Sequence, residues 1–290
     1  MCQEFYEKIE RFIDAMPSFP TTASKVIEIC DNPRTSPMDL KKVISLDPVL
    51  TAKVLKLIKM AAYYEENHQT TSLVHATITL GLNTIKNLVL STAMLGTISR
   101  EKRKSSLDMG EFWRHSLSVG VVAKLLAKRR GIDRKQWESY FCAGLLHDIG
   151  KIPIATVFDR DYMNAIADAD KGQDPLFCVE DRLFGANHCQ VGQILAELWK
   201  LDRALSDTIA YHHNYKVYNG AHKDKLLTVV AANSYANCSK LGFSGDIHSG
   251  EIDQAVLSEL KISKDTFVEI EEAFLIEIEK AKVFLNIQAV

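Results

Sequence analysis

Apolar residues recur at intervals of three and four through almost the whole chain, and no stretch alternates apolar and polar with a period of two. That pattern predicts a succession of helices. Their starts are marked: Ser36-Pro37-Met38-Asp39 combines an N-cap serine, a proline at the first helical position and an acid at the third, and Asp47-Pro48 opens another helix the same way. Asn83 caps a strongly apolar helix carrying Ile85, Leu88, Val89, Leu90, Met94 and Leu95. The charged run Arg100–Lys104 that follows reads as a solvated loop and a subdomain boundary. With no internal repeat or low-complexity tract, the chain reads as all-α, with an N-terminal helical subdomain over 1–100 and a second helical bundle over 101–290.

The second bundle holds the polar residues of interest. Between Glu111 and Arg130, Val119, Val122 and Leu126 share a face with His115, and Gly131 is a stop. His115 therefore points inward. Asp133 caps the next helix, in which Trp137, Phe141 and Gly144 line up with Asp148, Tyr140 lines up with His147, and Gly150 ends the run. Asn187 caps a helix with His188 in its first turn, and the stretch from Ser206 brings His212 and His213 to another helix end. On a later helix, expected to end at Gly242, Asn233 lies on the apolar face with Leu226, Val229 and Val230 and needs a buried partner. One inward histidine is usually a satisfied core residue; five, with an adjacent carboxylate, point to a metal.

Composition narrows the setting. The 290 residues, 47% of them hydrophobic, suffice for a large core, and a net charge of -2 gives no bulk attraction to nucleic acid or an anionic membrane. The first residues lack the apolar core of a signal peptide, and runs such as Leu88–Leu95 are too short to span a bilayer, so a cytoplasmic location is expected. The six cysteines form no Cys-x-x-Cys pair and read as reduced, mostly buried thiols, Cys142 and Cys189 among them. His68, His222 and His248 read as surface residues, and His75 as a packing residue.

The order His115, His147-Asp148, His188, His212-His213, followed by the helix through Asn233, resembles the HD superfamily of metal-dependent phosphohydrolases. Met16-Pro17-Ser18-Phe19-Pro20, the Asp47-Pro48 segment from Val43 to Leu55, the Leu80-Gly81 segment from Thr77 to Leu88, and Trp113-Arg114-His115-Ser116 are similar to its HDOD branch, the HD-related output domain of bacterial signalling, over about residues 12 to 245. The resemblance implies an all-α, HD-like bundle with an N-terminal helical subdomain. It implies metal ligands at His115, His147, Asp148, His188, His212 and His213, with Asn233 in place of a closing aspartate. Glu111 matches a further ligand position, although Asp108-Met109-Gly110-Glu111 also reads as a capping box, and Lys151 matches a phosphate contact, although it reads equally as a cation set against a helix C-terminus. The Gly-Tyr-Pro signature of cyclic-dinucleotide phosphodiesterases is absent after His213.

Two functions are expected on this basis: a regulatory signal-transduction module acting through other signalling proteins, and, as the alternative, a phosphohydrolase acting on a nucleotide or cyclic dinucleotide, with Lys151 and Asp148 in its chemistry. The cofactor expected is a divalent metal (iron, manganese, zinc, nickel or magnesium) at one ion per chain or less, because Asn233 contributes no charge to hold two cations together. Nucleic acid is not an expected partner, and any receiver, kinase or cyclase would come from another chain.

Overall fold

The computed structural model describes residues 2–15, 21–30, 34–46, 73–80, 106–246 and 251–281, with isolated positions at 32, 51, 54, 82, 85, 86 and 89. All regular elements among them are helices. The helices expected from Asp47 and Asn83, the run Arg100–Lys104, His68 and His248 lie outside the described residues, as does the side chain of His75.

Four helices belong to the N-terminal part: α1 (Cys2–Ala15), α2 (Thr21–Cys30), α3 (Pro37–Ile44) and α4 (Leu73–Leu80). Ser36 and Asp39 cap α3 reciprocally, with Pro37 at its first position, as the sequence predicts. Helix α1 buries Phe5, Ile9 and Ile13 at helical spacing, and Phe5 stacks on Phe158 and Phe184 with ring centroids 5.1 and 5.5 Å away.

The second part is built around α5 (Met109–Arg129) and α6 (Trp137–Leu146). Asp108 caps α5, Gly131 at φ 72 ends it, and Asp133 caps the short 3-10 turn that leads into α6. The two helices cross at Gly120 and Gly144, where a Cβ on Gly144 would come within 2.8 Å of the Gly120 backbone. Only glycine permits that approach, and it brings the rings of His115 and His147 to 5.7 Å.

Helix α6 stops at Leu146, earlier than the expected end at Gly150, and residues 147–150 turn directly into α7 (Lys151–Val157). Gly150 sits in an ordinary right-handed conformation, φ -68. It is glycine because a Cβ would overlap the carbonyl oxygen of His188 and crowd Gly192 N. The chain continues through α8 (Asp159–Gly172), α9 (Leu176–Phe184), α10 (His188–Leu198), α11 (Arg203–Tyr211) and α12 (Lys223–Cys238), then α13 (Gln254–Leu260), α14 (Asp265–Glu269) and α15 (Glu271–Ala281). Helix α12 also ends before its expected stop. Gly242 is instead where the following segment crosses α5, at φ 79 and with its α-carbon against the His115 and Glu111 backbone. Helices α12 and α15 pack on α5, so its long apolar surface is covered on several sides. Among the described residues no helix is long and apolar enough to cross a membrane.

Candidate metal centre

Two helix ends and one helix start converge on Asp148. His147 caps the C-terminus of α6, His212 caps that of α11 with His213 next to it, and His188 is the first residue of α10. Asn187 caps α10 through a reciprocal box with Gln190, which fixes where His188 enters. His115, His147, Lys151 and His188 are 0% exposed and Asp148 is 1% exposed.

The rings are oriented from behind. The Nδ1–H of His147 donates to the Gly144 carbonyl at 2.7 Å, that of His212 to the Ile209 carbonyl at 3.0 Å, and that of His188 to Glu180 Oε2 at 2.6 Å. With the proton held on Nδ1, each Nε2 presents its lone pair to the cluster. The Nε2 atoms of His188 and His212 lie 3.3 and 3.4 Å from Asp148 Oδ1 and 3.3 Å from each other; that of His147 lies 3.4 Å from Asp148 Oδ2. Asp148 Oδ1, His147 Nε2 and His213 Nε2 are buried with no hydrogen-bond partner.

Two lone pairs and a carboxylate oxygen at these separations attract positive charge. Burial works against protonating His212, yet contact with Cys189 Sγ, 3.8 Å away, and with Asp148 leaves its pKa raised. Burial, with His212 and His188 alongside, drives His213 well below the usual histidine range; its ring stacks on Phe177 at 4.5 Å. Against the cost of burial, His147 and Lys151 hold the Asp148 carboxyl well below its ordinary value. Asp148, His188, His212 and His213 each offer one atom within 4.8 Å of the others, and so do His115, His147 and Asp148. This donor set, with orphaned atoms aimed inward, fits a divalent transition metal.

The half near α12 is more committed. His115 Nε2 meets Asn233 Oδ1 at 3.0 Å, an oxygen that also accepts from Asn237 Nδ2 at 3.2 Å, while His115 Nδ1 is left without a partner. Burial, then the neighbouring His147, pushes the His115 pKa down to about 3, so the ring is neutral. Glu111 turns its carboxylate to Arg114, 3.1 Å away at the surface, and Asp108 caps its backbone N–H. His222 is a partly exposed residue before α12.

Lys151 differs from the expectation of an available phosphate contact. Its ammonium is fully buried and donates to Asp148 Oδ2 at 2.8 Å, Asp246 Oδ2 at 2.9 Å and Ser244 Oγ at 3.3 Å. Burial opposes its charge, but the two aspartates raise its pKa, and Lys151 in turn holds Asp246 below the usual carboxylate range. The other oxygen of Asp246 accepts from Leu176 N at 3.0 Å, pinning the segment after Gly242 to the start of α9. Glu180 accepts from the Tyr162 hydroxyl at 2.7 Å and from His188 N at 2.9 Å as well as from the ring. Sequence reading missed Asp246, Ser244, Glu180 and Tyr162. Only a charge on the buried face of α9 could have signalled Glu180.

Comparison with known proteins gives a consistent picture. The profile of the HDOD domain matches residues 16–215. An HDOD domain protein of unknown function from Geobacter sulfurreducens has a crystal structure similar to the chain at 25% identity and a TM-score of 0.68, covering 99% of this chain and 97% of that one. A protein of Shewanella amazonensis SB2B, provisionally named a metal-dependent phosphohydrolase, is similar in fold at 20% identity and a TM-score of 0.64, covering 97% of this chain and 98% of its own. An uncharacterized protein of Treponema pallidum (strain Nichols) is 24% identical over 253 residues, which make up 87% of this chain and 47% of that protein, so the chain spans about half the length of that relative.

Proposed function

The chain belongs to the HDOD domain family, and from that premise we propose that it is a regulatory module of bacterial signal transduction, acting by contact with other signalling proteins and carrying one structural divalent ion. The ion's ligands are Asp148, His188, His212 and His213. The carrying observation is the state of Lys151: Asp148, His188 and His212 are buried, and the Lys151 ammonium is engaged by three side chains, so a phosphoester finds no free cation there. An ion bound there would organise α6, α10 and α11 around one point.

The second reading, a metal-dependent phosphohydrolase acting on a nucleotide or cyclic dinucleotide, draws on Asp148 being common to both donor groups, as a bridging carboxylate is. When bound, a divalent ion supplies Lewis-acid activation of water and of a phosphoryl oxygen. The chain's own part would be to orient three imidazoles through Gly144, Ile209 and Glu180. Opening of the segment bearing Asp246 would have to admit the substrate.

Assays of the metal-reconstituted protein on a generic phosphodiester, nucleotides and cyclic dinucleotides distinguish the two. The regulatory reading expects no turnover above that of the His147→Ala and Asp148→Ala variants. Metal-dependent turnover lost in both variants overturns it. Elemental analysis after anaerobic reconstitution should find about one ion per chain; none at all would remove the metal from either reading.

A further inference from the structure

Asn233 leaves the cluster one carboxylate short on its own helix, yet the site as folded contains a second acid near Asp148. Asp246 arrives from the segment after α12, and between the two acids sits Lys151 Nζ, 2.8 Å from Asp148 Oδ2, 2.9 Å from Asp246 Oδ2 and 3.3 Å from Ser244 Oγ. Three oxygens surrounding a cation at the edge of a histidine cluster describe a cation site. We propose that the ammonium of Lys151 is the resident second cation of this centre, and that its removal uncovers a second divalent-ion site formed by Asp148, Asp246 and Ser244. This inference rests on the one-ion reading above.

Charge supports the assignment. The buried carboxylates at the centre are Asp148, Glu180 and Asp246, and the contacts made by Glu180 are all with donor groups. With neutral imidazoles, these acids and Lys151 leave two negative charges, which one divalent ion beside Asp148 Oδ1 neutralises. A second divalent ion added while Lys151 remains would place uncompensated positive charge in a closed site and meet the ammonium at Asp148 Oδ2. Removing the ammonium frees Asp148 Oδ2 and lowers the excess positive charge that a second divalent ion brings. The oxygen ligands it leaves suit manganese or magnesium, and the His188 side of the centre, with a carboxylate among its imidazoles, takes manganese as well as iron, zinc or nickel.

The test is manganese binding to the full chain, with folding checked by circular dichroism. Lys151→Ala should raise the manganese content from about one to about two ions per chain. Its electron paramagnetic resonance spectrum should change from the pattern of an isolated ion to that of a spin-coupled pair sharing Asp148. Lys151→Arg, which keeps the charge, should stay at the native content. A Lys151→Ala protein that folds and still takes one ion overturns the proposal. A native protein that takes none overturns the one-ion reading instead. If Lys151→Ala does not fold, an anomalous-scattering map of the manganese-loaded native crystal decides. One peak beside His188, with Lys151 still on Asp246, supports the proposal, and a peak between Asp148 and Asp246 with Lys151 displaced sinks it.

Discussion

The Nε2 atoms of His188 and His212 face each other at 3.3 Å inside the protein, each ring tethered through its Nδ1 to a different acceptor. Two such lone pairs repel unless a cation lies between them and Asp148. Stripping the ion with a chelator should therefore lower the melting temperature. At an ion concentration 100 times Kd the loss is about 2.7 kcal/mol, roughly 5–10 °C for a chain of this size. Calorimetry with and without chelator measures it, and coincident melting curves would mean that no ion is held.

Glu180 sets the orientation of His188 from two sides, through the ring and the backbone N–H. Glu180→Gln keeps the shape and removes the charge. Metal affinity should fall roughly 10–100-fold with helical content retained, as read by competition with a metal-sensitive dye. Unchanged affinity would show that the carboxylate does not tune the imidazole.

Asn233→Asp places a negative charge against His115 Nε2, 3.0 Å away in the native protein. Elemental analysis should find a higher ion content than in the native protein. Equal content would put position 233 outside the reach of any ion.

Acid should destabilise the ion-free protein before its carboxylates titrate. The His115 pKa falls from 6.5 unfolded to about 3 folded, and His213 is lowered in the same direction. Between these values the unfolded chain binds more protons, so the stability that His115 contributes is complete above pH 6.5 and is lost as pH falls toward 3, at about 1.4 kcal/mol per pH unit. His212, with its raised pKa, acts in the opposite direction, above pH 6.5. Denaturant melts at pH 6.5, 5.5 and 4.5 should show the decline, flattened in His115→Gln. A flat profile in the native protein would contradict a neutral buried His115.

Gly150→Ala pushes a methyl group into the His188 carbonyl, and backbone on both sides leaves no flexible group to yield. The cost should be about 2 kcal/mol or more. Gly131→Ala is the control: at φ 72 it carries backbone strain, but nothing lies within 4 Å of the added carbon, and its cost should be nearer 1 kcal/mol. Equal melting temperatures for the two would mean that α10 can shift away from the turn.

The inward histidines were legible because helical periodicity places His115 with Val119 and Val122, and because Asn187 and Gly131 mark helix ends that the folded chain uses. Gly150 and Gly242 read in the sequence as helix stops, whereas their role is close passage of another backbone, which depends on elements distant in sequence. Asp246 carried no signal at all. It lies on no amphipathic stripe, and its burial follows from the path by which the chain returns from Gly242 to the start of α9. Asn233 contributes no charge on α12, whereas Asp246, the acid that holds Lys151 opposite Asp148, comes from that returning segment.

The stacking of Phe5 on Phe158 and Phe184 has a consequence for the order in which the protein is made. Helix α1 emerges from the ribosome long before either ring it packs against. At 5–20 residues per second the wait is roughly ten to thirty seconds, during which Phe5, Ile9 and Ile13 have no partner from α7 to α9. Throughout that interval the ring of Phe5 lacks the two aromatic rings it stacks on in the folded protein.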